Sequence, residues 1–93
     1  MPHFVLLYDY IEDNVARRAP IRPAHLALVN DAHSRGELVM AGPLGDPHEG
    51  ALLIFNVDHR EAVEQFVQRD PYVQHGVVTR WRIVPWTVVS GGA

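Results

Sequence analysis

Two short stretches of this chain are apolar at every position: Phe4, Val5, Leu6, Leu7 and Tyr8, and then Ala51, Leu52, Leu53, Ile54 and Phe55. Both are rich in residues that favour extended backbone. A strand with one face in water alternates apolar with polar, because successive side chains point to opposite sides. A strand that is apolar throughout needs cover on both sides. Whatever fold this chain adopts must therefore bury two faces of its central strands.

The intervening segments limit what can supply that cover. Residues 9–18 are polar, with a short helical turn expected at 14–18 that Pro20 interrupts. Pro23 suits a helix start, where its missing N–H is not needed. Leu28, Val29 and Ala32 follow at helical spacing, with Asn30, Asp31, Ser34 and Arg35 on the other side and Gly36 as the stop. Residues 37–41 read as a strand ended by Gly42 and Pro43, and residues 44–50 as a loop. A second helix is expected after the 51–55 strand. Asp58 and Glu61 resemble a capping box at its start, and Ala62, Val63, Phe66 and Val67 form its apolar stripe. Asp70 and Pro71 close that region. Residues 77–89 hold a last strand, bent or finished near Pro85, and the tail 90–93 is expected to fray.

The order β-α-β-β-α-β is that of a ferredoxin-like α+β sandwich with a four-stranded antiparallel sheet. Its two helices can cover one face only. The two wholly apolar runs fall on the central strands, so the second face calls for a cover the chain does not contain, and a second copy is the simplest one. With 93 residues the chain suits a single domain, 1–93, and its thin stability margin would also benefit from association.

Composition narrows the chemistry. At 47 per cent apolar and 20 per cent charged the chain reads as globular. It has no cysteine, which excludes a disulfide framework, a thiolate nucleophile and a cysteine-bearing zinc site, and suits a reducing cytoplasm. A net charge of −3 without a basic stripe argues against nucleic acid as a partner. The opening apolar run, Phe4 to Tyr8, is too short for a signal peptide or a membrane span. The six histidines, at 3, 25, 33, 48, 59 and 75, form no pair at the spacing that puts two metal ligands on one face, so no metal is expected. Ser34 and Ser90 sit in no nucleophile elbow, and no glycine-rich phosphate loop is present.

A few residues remain as candidates for chemistry. His25 lies one turn before Val29 and so points to the sheet side, where it can act as a general acid or base, or sit as a core histidine bonded to a backbone carbonyl. Asp70 can hold a histidine ring N–H, or cap the turn at Pro71. Arg22 can clamp a carboxylate or stand in solvent. Tyr72 can donate a proton, stack on a ring, or fill the edge of the core. Gly42 and Pro43 can bring the backbone close to a ligand, or turn the chain.

Taken together, Arg22-Pro23-Ala24-His25-Leu26, Ala41-Gly42-Pro43, and Asp70-Pro71-Tyr72-Val73 with Gly76 resemble the YciI-like, or YCII-related, family, in that order and over nearly the whole chain. The resemblance implies a dimeric α+β barrel with two sheets packed face to face. It also implies a pocket in which His25 and Asp70 form a catalytic dyad; Arg22, Gly42, Pro43 and Tyr72 are the candidate substrate-binding positions beside them. No cofactor is implied. One similar protein class removes chloride from a chlorinated hydroxyquinol, so a lyase, dehydrochlorinase or isomerase type of reaction is the expectation. The alternatives are a non-catalytic small-molecule-binding or auxiliary module, its pocket lined by Leu28, Tyr72 and Trp81, and a subunit that only assembles with other proteins. The 44–50 loop is shorter than in many relatives, so the substrate does not carry over, and the pattern gives His75 no role.

Overall fold

The computed structural model describes residues 2–92. The elements run β1 (His3–Tyr10), α1 (Asn14–Arg18), α2 (Arg22–Ser34), β2 (Leu38–Leu44), β3 (Gly50–Asn56), α3 (Arg60–Arg69), α4 (Pro71–Gln74) and β4 (Val78–Trp86). The four strands form one sheet in the order β2-β3-β1-β4, with every neighbouring pair antiparallel. This is the ferredoxin-like arrangement, and the two apolar runs occupy its centre.

Several boundaries differ from the sequence expectation, each for a local reason. β2 runs through Gly42 and Pro43 instead of stopping there. β4 runs through Pro85. Both are edge strands, where a proline's missing donor need not break a ladder. α2 begins at Arg22, one residue before Pro23. Gly36 takes φ 79° just past its end, a left-handed value that a side chain would resist. His59, and not Asp58, precedes α3, and no side chain caps that helix. Residues 87–92 follow β4 without regular structure, and Ala93 lies outside the described residues.

Register decides which side chains meet the helices. Leu6 pairs with Leu53 and Ile83, and Phe4 with Phe55. Leu6, Tyr8, Leu53, Phe55 and Ile83 are buried under the helices with Val63, Phe66, Val67 and Ala32. Phe55 and Phe66 meet edge to face at 5.1 Å, the arrangement their ring quadrupoles favour. Burying side chains of this size stabilises the fold by about 1.5–3 kcal/mol each.

The intervening residues point the other way. Val5 lies opposite Ile54 and Val84, and Leu7 opposite Leu52 and Arg82. None of these is buried, and Met40 and Trp86 on the same side are 62 % and 43 % exposed. The face opposite the helices is thus apolar and left uncovered by the described residues.

Candidate functional site

Asp70 sits between two helices. Extended backbone there ends α3, and its side chain starts α4 by accepting from the Tyr72 N–H at 3.0 Å. The same oxygen, Oδ1, lies 2.7 Å from His25 Nδ1, and Oδ2 accepts from the Tyr8 hydroxyl at 2.8 Å. The carboxylate is fully buried, and all its close partners are donors. A buried carboxylate is tolerable only on such terms. The two uses of Asp70 that the sequence left open coexist: it caps the turn and it holds the histidine.

His25 is brought there by α2, whose first turn faces β2 and α4. Its ring lies flat on that of Tyr72, with centroids 3.8 Å apart and planes 3° from parallel. The stack and the Asp70 bond together fix the ring's position. In a neutral ring, donating the Nδ1 proton to Asp70 places the lone pair on Nε2. The ring is buried, and its Nδ1 meets a carboxylate in place of a backbone carbonyl.

That ring forms part of the wall of a cavity of about 540 Å³, within the range that holds a small organic molecule. Arg22, Gly42, Pro43 and Tyr72 line it too, so five of the six residues singled out in the sequence face one space and the sixth, Asp70, stands directly behind His25. Leu28 and Trp81 do not line it. Leu28 packs against the core, and Trp81 lies over a separate hollow near Arg80 and Leu7. His75 does not line the cavity either; it ends α4. Among the described residues, no group of three or more His, Cys, Asp or Glu is placed to hold a metal ion.

Tyr8, Tyr10, Arg18 and His48 were not legible as site residues. Tyr8 had one signal, a polar tip at the end of an apolar strand. Burial, and then the neighbouring Asp70 charge, push its hydroxyl above the ordinary phenol range. Tyr10 is pushed up to about 12, mainly by burial and next by Tyr72, with Arg18 opposing. The Tyr72 hydroxyl is raised by burial, with Arg18 and Arg22 pulling it back. Arg18 and His48, 30 residues apart in the chain, both line the cavity and meet at 3.0 Å. Nothing local in the sequence marks that meeting.

The model for the YCII-related domain matches residues 2–87 of the chain. Protein YciI of Escherichia coli O6:H1 is 33% identical over 86 residues, covering 83% of this chain and 88% of the relative, and protein YciI of Shigella flexneri matches equally well. Among solved structures, the 5-chloro-2-hydroxyhydroquinone dehydrochlorinase TftG of Burkholderia phenoliruptrix, in complex with 2,5-dihydroxybenzoquinone, superposes with a TM-score of 0.78 at 20% identity, over 91% of this chain and 93% of that one. At3g17210 of Arabidopsis thaliana superposes with a TM-score of 0.53 at 11% identity, over the full length of both chains. This chain belongs to the YCII-related family.

Proposed function

We propose that this YCII-related chain is a cofactor-independent enzyme for a small molecule, with His25 as its general acid and base and Asp70 as the group that orients His25. The observation that carries the reading is the arrangement of Asp70, His25 and Tyr72: a buried, triply bonded carboxylate on Nδ1, a stacked ring, and a wall position on the cavity.

The chemistry follows from those positions. A substrate in the cavity presents a C–H or O–H to His25 Nε2. The electron pair of that bond stays on the substrate, the proton moves to Nε2, and a leaving group on the substrate departs with its own pair. Asp70 stabilises the imidazolium so formed, without taking the proton itself, and His25 then releases the proton to the leaving group, to solvent, or back to another substrate atom. Loss of HCl follows this sequence; an isomerisation omits the departing group, the electron pair shifting within the substrate and His25 returning the proton to another substrate atom. The dehydrochlorinase that shares the fold supports a reaction of this type; the substrate here is a separate question, because the loop, which the strands shorten from the expected 44–50 to 45–49, contributes His48 to the cavity wall.

The same reading includes a homodimer. Val5, Leu7, Leu52, Ile54 and Val84 form an apolar sheet face that a second copy would cover, giving the two-sheet barrel. The absence of cysteine suits action in the cytoplasm. Among the described residues no helix is long and apolar enough to cross a membrane.

The test is halide release from 5-chloro-2-hydroxyhydroquinone and from a panel of small aromatic compounds carrying a leaving group. Turnover by the wild type with loss of at least about a hundredfold in His25→Ala is the expected result. Turnover that survives His25→Ala sinks the acid–base role. Binding without turnover across the panel turns the reading to a binding module.

A further inference from the structure

The cavity's charge is unbalanced. Arg18 and Arg22 both line it, and among the described residues no carboxylate does. Neither arginine forms an ion pair with a carboxylate among the described residues, although the chain carries 11 acidic residues against 8 basic ones. Arg22 is exposed, where water can solvate its charge. Arg18 is half-buried, and its one side-chain partner is neutral: a guanidinium can only donate, so Nη1 donates to His48 Nδ1, which must be an unprotonated acceptor.

This contact is built from more than one side. Asn14, one turn before Arg18 on α1, is buried, and its Nδ2 donates at 3.1 Å to the carbonyl oxygen of His48. α1 therefore holds His48 by its backbone and by its ring. The loop is anchored on its other side by Tyr10, whose N–H donates to the Glu49 carbonyl at 2.8 Å. Where the loop ends, Gly50 opens β3 so close to β1 that a Cβ there would collide with the carbonyl oxygen of Tyr8. Arg18 is thus braced in the wall of the cavity, with four of its five N–H donors uncommitted to any side chain among the described residues, beside Tyr10, Tyr72, Leu26 and Val29.

A half-buried guanidinium with fixed position and no counter-ion is a receptor for a planar oxyanion, which it can grip with two parallel N–H bonds. We infer that Arg18, braced by His48, makes this cavity selective for small planar organic anions, carboxylates above all, with Arg22 adding attraction at the rim. The inference rests on the cavity being where His25 meets its substrate, and it adds the substrate's charge class and the group that reads it.

Calorimetric titration of the full chain with benzoate and with its neutral isostere benzamide tests this without any turnover. The expected result is benzoate bound at least about tenfold more tightly than benzamide, the advantage shrinking with added salt. Arg18→Gln removes that preference while leaving benzamide affinity unchanged. His48→Gln, whose amide oxygen can accept from Arg18, retains most of it; His48→Phe loses several-fold. Should Arg18→Gln fail to fold, Arg18→Lys carries the test, keeping the charge but losing the two-pronged grip and several-fold of the benzoate affinity. Equal affinity for the two probes, no saturable benzoate binding, or a preference that survives the loss of Arg18 overturns the inference. His25→Ala is expected to keep the anion preference. A failed acid–base role and a failed anion site are therefore separable: the first shows in turnover of His25→Ala, the second in binding by Arg18→Gln.

Discussion

The two faces of the sheet carry nearly the same apolar character and meet opposite fates. On one, Leu6, Leu53, Phe55 and Ile83 lie at 0–5 % exposure beneath α2 and α3. On the other, Val5, Leu7, Leu52, Ile54 and Val84 come from the same strands, one residue out of phase, and stay partly open. Composition does not separate them, because period-two alternation hands each strand's residues to both faces equally. What separates them is that the chain has enough helix for one side. The site belongs to the covered side, at the edge where α2, α4 and β2 meet over a cavity, and a buried carboxylate can be dressed with donors only where the chain itself closes over it.

The widest contrast is expected from neighbours on β3. Leu53→Ala, on the covered face, should cost about 3–4 kcal/mol in urea unfolding, a transfer loss plus a cavity. Leu52→Ala should cost less than about 1.5 kcal/mol, and its effect should depend on protein concentration if a second copy covers that face. Equal, concentration-independent losses at the two positions would erase the distinction between faces.

Next comes Asp70→Ala, which leaves the Tyr8 hydroxyl, the Tyr72 N–H and His25 Nδ1 without their acceptor and should destabilise the fold by about 2–4 kcal/mol. Asp70→Asn should cost less and alter the nitrogen shifts of the His25 ring, because an amide can no longer demand the Nδ1–H tautomer. Ile54→Lys is expected to leave the helical circular-dichroism signal intact and to halve the mass seen by sedimentation. A wild type that sediments as a monomer would break the dimer reading outright.

Smaller effects should come from the tyrosines. Tyr8→Phe removes one of three donors to Asp70, for about 1 kcal/mol. Tyr10, pushed up to about 12, stays protonated in the fold above the pH at which an unfolded chain ionises, near 10. Its contribution is full below about pH 10 and is lost as pH rises through about 12. Alkaline unfolding followed by phenolate absorbance should show ionisation delayed and then coinciding with unfolding, and Tyr10→Phe should lessen the steepness of that loss.

How far the site was legible depended on how local each residue's cue was. His25 could be placed on the sheet side of its helix by counting turns from Val29 and Ala32, and Asp70 stood out before Pro71. Their contact, 45 residues apart in the chain, could come only from family resemblance or from the fold. Gly42 and Pro43 read as a strand's end because proline does break central strands; only the sheet order shows that β2 is an edge. Asp58 read as a cap because capping is a local pattern, yet His59 occupies that place and no side chain caps α3.

By itself the sequence determined the element order, the two central strands and the demand for cover on both of their faces, since hydrophobic periodicity and the reach of two helices are properties of the chain alone. The tertiary structure alone decided that Arg18 and His48 meet, that Tyr8 of β1 joins Asp70, and that the arginines at the cavity find no carboxylate among the described residues. Those are facts about which distant groups come within 3 Å of one another, and that is settled by how helices and strands pack.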